Sequence, residues 1–237
     1  SELIDLVNAD NVKFLLPGQG TALTSWGIGV TAVGTTSHPT PAITSYLNRQ
    51  LRWLITSTAT AGALASLREA SLNIWRGNAA GLGGFRVIMP IYLGAMQAGQ
   101  RGFNGITNSG AAPTNIDPLT STTLAKFGVG FNLNTGNWFF ITNTAGAAPT
   151  TTDLGANFPL NTTNLYQLEI ICLPNDTKIT YKFTNLSTGD TTGYVDVSAN
   201  LPANNAFLTE QQWITNNTTA AAVSMGSTKW LISKEIN

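Results

Sequence analysis

The stretch YQLEIICLPNDTKITYKFTNLSTGDTTGYVDV, Tyr166–Val197, decides the fold class. Tyr166 to Leu173 reads as one strand, and Pro174-Asn175-Asp176-Thr177 supplies a turn. Ile179, Tyr181 and Phe183 then alternate with Thr180, Lys182 and Thr184. Ser187-Thr188-Gly189-Asp190 turns the chain again, and Tyr194-Val195-Asp196-Val197 closes a three-stranded meander. A period of two places one face against a core and the other in water, as in an antiparallel sheet.

The pattern extends in both directions. Downstream, Ala221–Met225 and Lys229–Ser233 read as the last one or two strands. Upstream, Phe127–Phe131 and Trp138–Thr142 flank Asn134-Thr135-Gly136-Asn137 as a hairpin. Phe103–Thr107 reads as a strand, Asn108–Pro118 as a loop, and residues 143–164 as a polar linker within the fold. Phe85–Leu93 is too short for a typical helix and contains Pro90. Asn11–Leu16 and the loosely alternating Trp26–Val33 read as strands, and Ser37–Pro41 as a loop.

Residues 46–76 carry two signals. Tyr46, Leu47, Leu51, Leu54 and Ile55, and then Leu64, Leu67 and Leu72, have helix-like spacing, which suits a helical hairpin. Strands are preferred because Arg52–Thr58 is rich in aromatic and β-branched residues. Ser71–Gly77 also alternates, with Leu72 and Ile74 on one face and Asn73 and Trp75 on the other. Many short strands with regular turns predict an all-β, antiparallel β-sandwich or jelly roll. Residues 1–45 are expected to pack on or lead into it, and residues 46–237 to form it, as one continuous domain.

The chain has 237 residues, 43% of them hydrophobic, enough for a substantial core. Twelve basic and twelve acidic residues cancel, and only 10% of residues are charged. So neutral a surface attracts nucleic acid and anionic lipid weakly, and suits glycans or protein surfaces. Cys172 is the single cysteine, so no intrachain disulfide forms; it reads as a buried thiol, fitting folding in a reducing cytosol. No run reaches the ~20 apolar residues of a membrane-spanning helix. Ser1–Asp5 has no signal-peptide pattern, and a chain beginning at Ser1 is expected to be processed or part of something longer.

Catalytic chemistry finds little support. His38, the single histidine, lies in a Pro-rich loop and reads as solvated. One Cys and one His do not make the common zinc sites. Gly77–Gly84 is glycine-rich but lacks the Lys of a phosphate loop, and reads as a tight connection. Asp153, Asp176 and Asp190 fall in linker or turns, where Asp serves the local backbone, and no calcium-binding spacing appears. Glu169 is the one acid in a confident apolar strand; its alternation with Leu168 and Ile170 turns it to solvent. A glycosidase needs two carboxylates about 5–9.5 Å apart, so no catalytic residue, metal or cofactor is assigned.

Sugar binding is the better match. Glycans stack on exposed aromatics and bond to Asn, Asp and backbone groups. Of the six tryptophans, Trp75, beside Asn73, and Trp213, followed by Asn216, are the ligand-binding candidates. The same positions suit packing at a sandwich edge or in a subunit interface. The sequons at Asn161, Asn175, Asn185, Asn216 and Asn217 carry no weight without a secretory signal.

Three stretches taken together carry a resemblance. They are Arg52–Gly62 running on to Trp75–Phe85, then Tyr166–Ile170 with Lys178–Gly189, then Trp213–Asn217 with Ala220–Val223. Over most of residues 15–233 the chain resembles a family of bacteriophage virion proteins, tail fibre or minor structural proteins. The resemblance implies a concanavalin A-like sandwich on the particle, commonly a homotrimer, made in the bacterial cytoplasm and non-enzymatic. Expected partners are other virion proteins and a bacterial surface glycan or protein. Capsid decoration or cementing of a tail joint is the alternative, and a polysaccharide depolymerase acting through Glu169 the third. The resemblance transfers no binding residue. The acid, Asn and His metal cluster of legume lectins is not visible.

Overall fold

A computed structural model describes residues 11–132 and 135–234. In chain order the strands begin with β1 (Val12–Pro17), β2 (Leu23–Trp26), β3 (Val30–Val33), β4 (Thr35–Ser37), β5 (Trp53–Thr56) and β6 (Leu64–Glu69). They continue with β7 (Phe85–Leu93), β8 (Arg101–Thr107), β9 (Ala125–Asn132), β10 (Phe139–Thr144), β11 (Thr150–Asp153) and β12 (Tyr166–Cys172). The last are β13 (Ile179–Asn185), β14 (Val195–Val197), β15 (Thr209–Thr215), β16 (Ser224–Ser227) and β17 (Trp230–Lys234). Ten of them form one sheet, with a path β14-β13-β12-β7-β16-β5-β4 to which β17, β1 and β2 are joined; seven form the other, β11-β10-β9-β8-β15-β6-β3. The strand pairings are antiparallel. The fold is an all-β, antiparallel jelly-roll sandwich.

The core lies between the sheets. The inner positions of β12 and β13, Tyr166, Leu168, Ile170, Ile179, Tyr181 and Phe183, are buried. Aromatic rings lock the layers together: Trp138 meets Phe131 at 5.0 Å, Tyr166 at 5.8 Å and Phe183 at 5.9 Å. Such offset and edge contacts add to the burial of large apolar area.

Pro90 is accommodated inside a central strand by a change of neighbour. β17 pairs with Phe85–Ile88, and β16 pairs with Tyr92 and Leu93. Pro90 sits between those two ladders, where no partner carbonyl requires its missing N–H. Its own carbonyl accepts a hydrogen bond from the Ser227 hydroxyl at the β16–β17 break.

The meander over 166–197 is β12, β13 and β14 as expected, and Trp53–Thr56 and Leu64–Glu69 are strands rather than a helical hairpin. The helix-like spacing around Tyr46 and Leu47 resolves to one 3-10 turn, Leu47–Arg49. Strands β1 to β4 hydrogen-bond into the two sheets through β17, β6 and β5. Two readings are corrected, and one strand is added. Ser71–Gly77 is not a strand: it makes a single bridge, Ile74 to Leu208, and Leu72 is exposed while Ile74 is buried. The 143–164 region contains β11, and Thr209–Thr215 forms the central strand β15. Asn134, part of the expected hairpin turn, lies outside the described residues.

Candidate functional site

The outer face of β12–β14 carries a groove of about 250 Å³ lined by Ile171, Leu173, Asp176, Lys178, Thr180 and Tyr194. Alternation builds it: inward Cys172 and Tyr181 leave outward Ile171 and Thr180 on the surface. Register then places Thr180 between Ile171 and Asp196. Asp196 accepts from Lys178 Nζ at 2.5 Å and from the Thr180 hydroxyl at 2.6 Å. These contacts hold its carboxyl below the ordinary range, and Asp196 in turn holds the Lys178 ammonium above its own.

Tyr194 is the exposed aromatic of the groove, at 57%. Lys182 Nζ lies 4.7 Å from its ring centroid, and its hydroxyl donates to Glu169 Oε2 at 3.3 Å. Glu169 belongs to the outer face, as alternation predicts, but is only 2% exposed. Arg86 Nη2 at 2.6 Å, Lys182 Nζ at 3.7 Å and Tyr194 cover it. The reading of Glu169 as solvated is therefore corrected, and its oxygens are engaged in bracing. Arg86 and Lys182 share the Glu169 carboxylate and Lys178 pairs with Asp196, while Asp176 on the groove wall is the third carboxylate for these three cations. A ring face beside a spare ammonium proton, a carboxylate and a hydroxyl suits a polyhydroxylated ligand. Pockets that orient a ligand by a few placed polar groups are the usual form of small-molecule site.

The sequence candidates divide. Trp75 is half-buried and stacks on Phe207, centroids 5.7 Å apart at 30°. Asn73 holds the local backbone: its N–H donates to the Leu208 carbonyl at 2.9 Å and its amide to the Ser71 carbonyl at 3.1 Å. Trp213 is 3% exposed, on the outer face of β15 beside Phe103. Asn216 is buried, its amide donating to the carbonyls of Thr60 at 2.8 Å and Ala221 at 2.9 Å. Trp213 and Asn216 thus sit inside the protein, not on an open surface. The structure does not bring the two pairs together. Sequence reasoning missed Tyr194 as a ligand platform, although Tyr194 following the Thr191-Thr192-Gly193 bend marked an aromatic outside the regular alternation.

Three other places hold polar or reactive side chains. His38 is half-buried in a groove of about 280 Å³ with Pro17, Pro39, Pro41, Leu51 and Arg52, with no hydrogen bond at Nε2. Glu69 and Glu210 point inward and are buried, closed off from substrate. Cys172 is a free, buried thiol raised to about 11 by burial. Among the described residues no group of three or more His, Cys, Asp and Glu is placed to hold a metal ion, and no helix is long and apolar enough to cross a membrane.

No protein-family model matches the chain, and no curated protein sequence does. Solved structures do match its fold. A Shewanella oneidensis protein of unknown function superposes with a TM-score of 0.60 at 16% identity, covering 98% of this chain and 92% of that one. Peanut lectin with a nine-residue peptide gives 0.53 at 10%, covering 90% and 94%. Lectin UEA-II complexed with galactose gives 0.53 at 13%, covering 87% and 93%. The chain therefore has the concanavalin A-like jelly-roll fold of the legume lectins, at identities that speak for the fold alone.

Proposed function

We propose that this chain is a non-catalytic glycan-recognition domain that binds sugar in the Tyr194 groove. The observation that carries the reading is the braced, exposed Tyr194 ring beside Lys178, Thr180 and Asp196. A sugar's apolar face stacks on the ring while its hydroxyls donate to Asp196 and accept from Lys178. The lectin-like fold supports it. A glycan array probed with labelled protein tests it: retention of defined saccharides is expected, and a blank array with folded protein would sink it.

In this proposal the domain is displayed on a bacteriophage virion as a homotrimeric tail-fibre module that recognises a bacterial surface glycan. Its support is the sequence resemblance of the three stretches given above. Three linked sites of modest affinity gain strength through effective concentration. A second reading, a capsid-decoration or tail-joint protein, draws on a different surface. Trp26, Phe14, Leu231 and Ile88 align in register across β2, β1, β17 and β7 on the outer face of the larger sheet, with Trp26 and Leu231 exposed. An exposed apolar row is the usual mark of a protein contact. Immunogold labelling of intact particles separates the two: label at the tail tip favours recognition, and label over the head favours decoration.

A further inference from the structure

The aromatic pair Trp75–Phe207 belongs to the same end of the sandwich as the groove. The pair is built by the Ile74–Leu208 bridge, in which Ile74 N–H donates to Leu208 and Leu208 N–H donates back at 2.7 Å. Antiparallel register sets Trp75 opposite Phe207, and Phe207 remains 56% exposed. Arg76, next in the chain and buried, ties this unit to the groove. Its Nη2 donates to the carbonyl of Asp176, which lines the groove, at 2.8 Å, and its Nη1 donates to the carbonyl of Pro202 at 2.9 Å. Its own carbonyl accepts from Asn175 N–H at 2.9 Å, and Gly77 N–H donates to Asn204 at 3.0 Å. Three loops, 75–84, 173–178 and 202–207, are thus fastened to one another through backbone groups and one guanidinium. Gly77, at φ 94°, is required there: a Cβ would lie 1.7 Å from the Leu82 carbonyl oxygen.

Two aromatic platforms held in fixed relation suit a chain of sugars better than a single ring. We propose that Trp75–Phe207 is a second subsite of the Tyr194 groove, so that the ligand is an oligosaccharide reaching from Tyr194 to Phe207. This rests on the glycan reading of the groove. Each platform contributes stacking area, and the rigid link through Arg76 keeps the entropy of joining them low. Phe207 is the residue that meets the ligand, and Trp75 supports it from below.

The test is calorimetric titration of wild-type, Tyr194→Ala and Phe207→Ala protein with mono-, tri- and pentasaccharides of galactose, glucose and mannose. The expected result is a gain of at least tenfold in affinity from mono- to pentasaccharide in the wild type. Phe207→Ala removes that gain and leaves monosaccharide affinity unchanged, while Tyr194→Ala weakens both lengths. An unchanged pentasaccharide affinity in Phe207→Ala, with Tyr194→Ala still weakened, overturns the second subsite and leaves the groove standing. Equal weakening of mono- and pentasaccharide by Phe207→Ala also overturns it, because the pair would then belong to the primary site. No effect of Tyr194→Ala on binding, or no binding by any saccharide, overturns both readings.

Discussion

Glu69 on β6 and Glu210 on β15 face each other inside the sandwich, 1% and 0% exposed, one register step beyond the Gln211–Arg68 pair. Glu69 accepts from the backbone N–H groups of Gly29 and Ser71. Neither Glu210 side-chain oxygen has a hydrogen-bond partner. Lys13, from β1 of the other sheet, is the cation that acts on both. Burial pushes the Glu210 carboxyl up to about 7, with the Glu69 charge adding to it and Lys13 opposing. One lysine cannot neutralise two desolvated carboxylates, so Glu210 keeps its proton well above the ordinary carboxylate range, up to about pH 7.

Stability should therefore depend on pH in a defined window. The folded value, about 7, exceeds the ordinary 4.5. The stabilisation linked to Glu210 is complete below 4.5 and is lost as pH rises toward 7, with no further loss above. At about 1.4 kcal/mol per unit this is on the order of 3 kcal/mol. Urea unfolding from pH 4 to 8 should show Glu210→Gln losing less stability than wild type across that interval. Parallel profiles would show that Glu210 is ionised in the folded protein.

Arg76 should act as the fastener of the loop cluster. Replacing it by Met keeps much of the buried stem but leaves the carbonyls of Asp176 and Pro202 without their donors. A cost of about 2–4 kcal/mol is expected in chemical unfolding. Amide exchange should rise in 75–84, 173–178 and 202–207 and not in β8 or β9. A uniform rise would assign Arg76 to global stability instead.

Cys172 offers a check on the core of the larger sheet. Burial and a value near 11 keep its thiol protonated and covered. Ellman's reagent should label it at a negligible rate in native buffer at pH 8 and stoichiometrically in urea. Prompt native labelling would mean that β12 is not packed as described.

Strand β13 was legible in the sequence because its outer residues Thr180, Lys182 and Thr184 stay half-buried while the inner ones are buried, and β9 because Gly128 and Gly130 alternate with Phe127, Val129 and Phe131. Strand β15 was not, because its two covered faces carry mostly polar residues. Its inner face carries Glu210, Gln212 and Ile214, and its outer face is roofed by the 108–124 loop. Gln211 Nε2 donates to Ala111, Arg68 Nε to Gly110, and the Thr215 hydroxyl to Asn115. Ile116 and Leu119 pack against Phe103, Ile141 and Trp213. Polar residues that bond to a covering loop look solvent-exposed in a linear pattern, which made Trp213 and Asn216 resemble surface residues. Ser71–Gly77 misled in the opposite sense: alternation was present, but only Ile74 forms a β-bridge. Trp75 was recognisable as unusual, whereas its stacking partner Phe207 depends on a bridge between segments more than 130 residues apart.

The central claim is that the Tyr194 groove is where sugar binds. The most direct measurement is the affinity of Tyr194→Ala for the best saccharide from the array, beside its melting temperature. Tyr194 is mostly exposed, so melting should be nearly unchanged. Affinity should fall at least tenfold, about 1.4 kcal/mol. Wild-type affinity in the folded variant would contradict the account and place the binding surface elsewhere.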